Sequence, residues 1–250
     1  MRHIDIIIIS NAKNKEFLNI TNQTIQTLLL SENPDEIQFH PIIVESNDET
    51  PDYNYPNAVT IRPNSKFGYH KYLNIGVKAG NSPYLGLANN DLIFHKGWAS
   101  AILSEMDKNP KLESAGTWCD RFHPSRNISE SPEVQFGYTN GIYITGWFIF
   151  LKRSLFDRMN GLDENFSFWY CDDDYGKTLE SMDVKHALIT QAKVTHITSQ
   201  STIKLDPKEF RKLTLLPNLY FDYKWNHRSY LIYLIKRLIF YFRLKWNLTR

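Results

Sequence analysis

The chain opens on an apolar run, Ile4 to Ile9, broken only by Asp5 and stopped by Ser10-Asn11. A β-branched run of this length predicts a buried central strand. From Lys15 to Leu30 the period changes. Phe17, Leu18, Thr21, Ile25, Leu28 and Leu29 fall on one face of a predicted helix. Phe39 to Val44 predicts a second strand, closed by Glu45-Ser46-Asn47-Asp48, and Ala58 to Ile61 a shorter third. Gly68 to Lys78 reads as a helix with Gly80 as its C-terminal stop. The fourth strand is the apolar run from Tyr84 to Ala88, which ends abruptly at Asn89-Asn90-Asp91, and a helix from about Trp98 to Met106 follows it. Alternating strands and helices imply right-handed crossovers and a parallel sheet. The polar ends of strands one, two and four then open on one edge.

The second half has another texture. Leu112 to Trp118 and Ile142 to Leu151 are strand-like, separated by a polar loop carrying Arg121, His123 and Arg126. A short helix from Ser154 to Met159 ends at Asn160-Gly161. A further helix is expected to begin at Cys171-Asp172-Asp173-Asp174-Tyr175 and run to about Ser181. Lys185 to Thr190 and Lys193 to Thr198 read as two short strands, the second carrying His196. From Leu205 onward the chain is aromatic and basic. No acidic residue follows Asp222, and Tyr230 to Trp246 predicts an amphipathic helix with Ser229, Lys236, Arg243 and Arg250 at heptad spacing. This divides the chain into residues 1–203 and a basic, aromatic helical extension, 204–250.

Composition narrows the function classes. A 250-residue chain that is 42% hydrophobic can bury a real core. A net charge of +2 argues against a nucleic-acid binder held by a broad basic field. Two cysteines, Cys119 and Cys171, make no disulfide framework and suit a reducing, cytoplasmic setting. The N-terminus lacks a signal-peptide layout, and no apolar run is long enough to span a bilayer. The extension could lie on the cytoplasmic face of an anionic membrane, or pack on the preceding domain.

Open α/β sheets bind ligands beyond the carboxyl ends of their strands, which is where Asn89, Asn90 and Asp91 stand. An oxygen-rich set there suits Mg²⁺ or Mn²⁺ shared with substrate phosphates, and His196 could add an imidazole. Asn and Asp are also ordinary turn residues, and His196 could be a hydrogen-bonded histidine at a strand end. The adjacent carboxylates Asp172, Asp173 and Asp174 repel one another, so at least one should hold its proton more tightly. Such a group can take a proton from an alcohol. Acidic residues in a first helical turn also simply favour the helix dipole.

From Ile4 to Ser199 the chain resembles a family 2-type glycosyltransferase of the GT-A fold. The resemblance rests on Asn74-Ile75-Gly76, Ala79-Gly80, Leu87-Ala88-Asn89-Asn90-Asp91, Thr145-Gly146-Trp147, Lys152-Arg153, Phe156 and Gly161-Leu162-Asp163-Glu164. It continues through Phe168-Trp169-Tyr170-Cys171-Asp172-Asp173-Asp174-Tyr175 and Val194-Thr195-His196. The resemblance implies a Rossmann-like, mostly parallel central sheet with a smaller antiparallel acceptor-side sheet. It implies Asp91 and His196 as ligands of Mn²⁺ or Mg²⁺, Asp172 as catalytic base, and Asp174 holding the local geometry. Ser10, Asn11, Glu45, Lys71, Asn74, Asn89, Asn90, Gly146 and Trp147 would contact a nucleoside-diphosphate sugar, with a UDP-sugar favoured. The acceptor would be a glycan or lipid-linked glycan, and transfer would invert the anomeric centre. Four positions depart from the family pattern. Asn89 replaces the first acid of its metal motif, Glu45 stands for an aspartate, Cys171 for an acidic residue, and Thr178 for an arginine.

Two other functions use similar parts. A sugar nucleotidyltransferase would carry a glycine- and base-rich phosphate loop after strand one, and Ser10-Asn11-Ala12-Lys13-Asn14 has no glycine. A non-catalytic carbohydrate- or partner-binding module would have lost Asp91 or Asp172, and both are present.

Overall fold

The computed structural model describes residues 1–47, 49, 52–197, 207–226 and 228–246. In chain order the elements are β1 (Arg2–Ser10), α1 (Lys15–Leu29), β2 (Ile37–Glu45), β3 (Val59–Ile61), α2 (Tyr69–Lys78), β4 (Tyr84–Asn89), β5 (Leu92–Phe94) and α3 (Trp98–Lys108). There follow β6 (Leu112–Trp118), a 3-10 turn (His123–Arg126), β7 (Gln135–Phe136), β8 (Phe148–Lys152), α4 (Arg153–Arg158), α5 (Cys171–Ser181), β9 (Lys185–His196), α6 (Pro207–Trp225) and α7 (Tyr230–Lys245). The expected boundary at 203/204 lies outside the described residues.

The strands form one sheet in the order β3-β2-β1-β4-β8-β6-β9-β5, with β7 also on β9. β1, β2, β3 and β4 run parallel, as do β6 and β9. β8 is inserted antiparallel between β4 and β6, and β5 and β7 pair antiparallel with β9. The sheet is therefore mostly parallel, with a small antiparallel part around β9.

Strand alternation sorts the core. Ile4, Ile6 and Ile8 join one apolar cluster with α1 and α3, whereas Ile7 and Ile9 join another with α2, α4 and α5. Trp98 anchors the first, packed against Phe39, Phe94, Phe148 and Phe150 with its indole N–H on Ser31 Oγ at 2.9 Å. Truncating such a side chain to Ala costs about 3–5 kcal/mol. α1 and α3 cover one face of the sheet and α2, α4 and α5 the other.

Three expectations change. The segment from Ile142 to Trp147 is turn and isolated bridge, and the strand begins only at Phe148. The two short strands expected after Lys185 are one strand reaching His196, whose pairing with β6 jumps register between Thr117 and Trp118. Thr198 lies outside the described residues. Gly80 is not a left-handed stop, since it has no positive φ and the cap is Ala79. A Cβ on Gly80 would lie 2.2 Å from Asp5 Oδ2, so the missing side chain makes room for a buried carboxylate. Asn160 and Gly161 do close α4 in the left-handed region, with φ of 58° and 81°.

Candidate active site

The ends of β1, β2 and β4 meet through a chain of hydroxyls. Buried Glu45 accepts the Ala12 and Asn47 backbone N–H groups on Oε1, at 3.1 and 2.9 Å, and the Tyr55 hydroxyl on Oε2 at 2.7 Å. Tyr55 has given its only proton to Glu45, so Ser10 donates across the 3.0 Å between their oxygens. Ser10 Oγ is 3.2 Å from Thr21 Oγ1, which accepts the Asn90 amide at 2.8 Å. Burial holds the Tyr55 phenol above its ordinary pKa. Glu45 thus fixes the loop after β1, and Asn11, exposed, accepts the Asn47 amide at 3.1 Å.

Asp91 follows at the same edge. The β5–β9 register sets Leu92 opposite His196, and the Ile197 N–H donates to the Asp91 carbonyl at 2.9 Å. His196 Nε2 lies 3.2 Å from Asp91 Oδ1 but without the alignment of a hydrogen bond, and this buried nitrogen has no hydrogen-bond partner. The Trp147 ring stacks on the imidazole at 5.1 Å and 15°, and its own Nε1 is also unpartnered. A buried polar atom left so costs about 1–3 kcal/mol. The imidazole is therefore not the satisfied strand-end histidine that was one reading of the sequence.

On the other side stands the start of α5. Tyr170 enters it at φ 67°, an unusual conformation for a residue with a side chain. Contacts from α6 hold Tyr170 there: the Asn218 amide donates to its hydroxyl, and the Phe221 ring lies 5.2 Å away. Asp172 is half-buried, and its pKa is raised to about 6, by burial first and by the charge of Asp173 second. Repulsion within the acidic run is real but is the smaller cause. Asp174 turns the opposite way, into α6, where Oδ1 meets Lys224 Nζ at 2.7 Å and accepts the Trp225 indole N–H at 2.8 Å. Burial pushes the Cys171 thiol well above its ordinary pKa, with Asp172 and Asp174 adding to this, which disfavours the thiolate a nucleophile needs.

Two consecutive residues join these groups. A Cβ on Gly146 would lie 3.5 Å from Asp172 Oδ2, and Trp147 covers His196. Behind them, the Tyr69 hydroxyl sits 2.9 Å from both Asn89 Oδ1 and the Gly146 carbonyl. Burial raises its pKa, with further contributions from Cys171, Asp172 and Asp91, so it stays a protonated donor. Asn89 also donates its backbone N–H to the Trp147 carbonyl at 2.9 Å.

Asp91, His196, Asn89, Gly146, Trp147 and Asp172 are thus brought together, with Ser10, Glu45 and Asn90 in the adjoining network. Lys71 is half-buried in the first turn of α2, two residues after Tyr69. Asn74 stands apart, its amide bound to the Leu162 backbone and to Glu164 Oε1, where it pins the turn after α4. Tyr55, Tyr69, Lys224 and Trp225 were not legible as site residues. Each acts on a group distant in sequence, and an aromatic or basic residue carries no local mark of that.

The donor set fits a divalent metal. Asp91 offers a carboxylate, and the unpartnered His196 Nε2 a lone pair beside it. No group of three or more His, Cys, Asp or Glu converges among the described residues, so substrate oxygens and water would complete the sphere.

No protein-family profile matches the sequence, and no curated protein matches it. Solved structures do match. The mannosyltransferase PcManGT from Pyrobaculum calidifontis, in complex with GDP-Man and Mn²⁺, superposes at TM-score 0.63 with 12% identity over 90% of this chain and 64% of that one. TarS 1-349 of S. aureus, in complex with UDP-GlcNAc, gives 0.57 with 13% identity over 88% and 66%. The catalytic domain of Drosophila β1,4-galactosyltransferase 7, in complex with xylobiose, gives 0.53 with 12% identity over 83% and 75%. The chain spans 64% of the length of the mannosyltransferase and 66% of TarS 1-349. Likeness at this identity is likeness of architecture, and the architecture of this chain is the GT-A fold of these glycosyltransferases.

Proposed function

We propose that this protein is a metal-dependent, inverting glycosyltransferase of the family 2 type. It moves a sugar from a nucleoside-diphosphate sugar, a UDP-sugar being favoured, to a hydroxyl of a glycan or lipid-linked glycan. The observation that carries the reading is the pair Gly146-Trp147, which lies beside Asp172 on one side and stacks on His196 next to Asp91 on the other. A base and a cation-binding pair on either side of one short segment is what displacement at an anomeric carbon needs. The neighbours with GDP-Man and Mn²⁺, and with UDP-GlcNAc, support the choice of donor and cofactor.

Asp91 and His196 would hold Mn²⁺ or Mg²⁺. Bound there, the cation supplies Lewis-acid stabilisation of charge on the departing diphosphate. Asp172 removes the acceptor hydroxyl proton, and a pKa of about 6 leaves it ionised yet basic near neutral pH. Attack from the face opposite the leaving group inverts the centre. Asp174, tied to Lys224 and Trp225, keeps the first turn of α5 in place and is not the base. Nothing in a net charge of +2 favours nucleic acid as a partner. The free, buried cysteines suit work in the cytoplasm.

Thermal denaturation with UDP, dTDP or GDP, with and without Mn²⁺, tests the reading. A nucleotide at about 100 times its Kd stabilises by about 2.7 kcal/mol. We expect the shift with UDP only when Mn²⁺ is present, and its loss in both Asp91→Ala and His196→Ala. An equal shift in chelator defeats the metal role. Slow hydrolysis of one donor from a panel of nucleotide sugars separates an enzyme from a binding module.

A further inference from the structure

α7 carries an apolar face that none of the other described residues covers. At about 100° per residue, Leu231, Ile232, Ile235, Leu238, Ile239 and Phe242 form one continuous stripe, which Trp246 extends. All are exposed, Leu231 by 64%, Leu238 by 70% and Trp246 by 61%. The face that packs is the opposite one. Tyr233 stacks on Tyr223 of α6 at 5.4 Å and meets Tyr220 at 5.9 Å, and Phe240 and Leu244 on that side are half-buried. The stripe is bordered on one side by Lys236 and Arg243 and on the other by Lys245.

We infer that this face of α7 lies in the interface of an anionic lipid bilayer. The charges choose the occupant. Every charged residue after Asp222 is basic, so a second copy of α7 laid on the stripe would set basic borders against basic borders with no acid between them. Lipid phosphates supply the missing countercharge while acyl chains take the stripe. Exposed apolar stripes of this kind mark interaction surfaces. A helix of 16 residues is about 24 Å long, short of a hydrocarbon core of about 30 Å, and no helix among the described residues is long and apolar enough to cross a membrane. It therefore lies along the surface. α6 then connects that surface to the site, because it packs on α7 through Tyr220 and Tyr223 and binds Asp174 through Lys224 and Trp225.

Co-sedimentation of the full chain with vesicles tests this. We expect binding to vesicles of mixed phosphatidylglycerol and phosphatidylcholine at low salt, release at high salt, and no binding to phosphatidylcholine alone. Replacing Lys236, Arg243 and Lys245 by Gln together should weaken partitioning roughly 100-fold. The triple substitution Leu231→Ser, Leu238→Ser and Phe242→Ser should abolish it without changing the melting temperature. Failure of the full chain to bind, or undiminished binding by the serine variant, overturns the inference. So does a concentration-dependent dimer, seen by light scattering, that the serine variant loses, since the stripe would then belong to a second copy.

Discussion

The two ends of the same sheet use the same chemistry to opposite effect. At the amino ends of the parallel strands, Asp5 is almost fully buried, and both its oxygens are taken. Oδ1 accepts the Ser82 hydroxyl at 2.5 Å, while Oδ2 accepts the Ser82 N–H at 2.9 Å and Arg153 Nη2 at 2.7 Å. Arg153 spends two more donors on the Ser82 and Val77 carbonyls. At the carboxyl ends, His196 Nε2, Trp147 Nε1, Thr145 Oγ1 and Asn140 Oδ1 are buried without partners, and Asp172 is held where ionisation is disfavoured. The first edge spends its hydrogen bonds on the fold, and the second leaves these four polar atoms unpaired beside the satisfied Glu45 network. Unpaired buried atoms gathered at one edge call for a physical explanation, and a binding site there is one.

Three experiments strain this contrast, beginning with the largest effect. Asp172→Asn should lower turnover by about 10²–10⁴-fold while donor binding persists. Its folded pKa is raised, so ionisation costs the folded state stability as pH rises through about 6. The neutral variant should therefore melt no lower than the native chain at neutral pH. Full turnover in that variant would remove Asp172 from the mechanism. Next, Asp5→Ala leaves the Arg153 guanidinium without its partner and should cost about 3–5 kcal/mol in urea denaturation. The folded fraction should bind donor normally. A loss below 1 kcal/mol (about the worth of an exposed pair) would mean that the two edges do not differ as described.

The smallest effect is on pH. As the proposed base Asp172 would act ionised, so activity should fall as pH drops through about 6. In Asp173→Asn the like charge is gone and the acid limb should move to lower pH with the plateau unchanged. Burial is the larger cause of the shift, so the limb should stay above the ordinary carboxylate range. A pH–rate profile decides it, and an unmoved limb would assign the titration to another group.

Much of the architecture was readable in the residues. The run Ile4 to Ile9, the strand stopping at Asn89-Asn90-Asp91, the helix opening at Cys171 and the amphipathic α7 all appear where spacing put them. These are local facts, because apolar period and capping chemistry depend on neighbours within a turn or a strand. Asp91 and His196 stood out at strand ends and Asp172 in a run of mutually repelling carboxylates, while their roles came from the resemblance.

Which groups face each other was set by packing between distant parts of the chain. β8 enters the sheet antiparallel between β4 and β6, a choice of pairing partner that no periodicity encodes. Gly80 looked like a helix stop and instead makes room for Asp5, whose partner Arg153 arrives from far along the chain. Asp172 and Asp174 share one acidic run, yet one meets Gly146 and the other Lys224 and Trp225. Local pattern was enough for the elements and their polar ends. The assembled fold decided which carboxylate is desolvated and which is paired, because both depend on contacts between residues far apart along the chain.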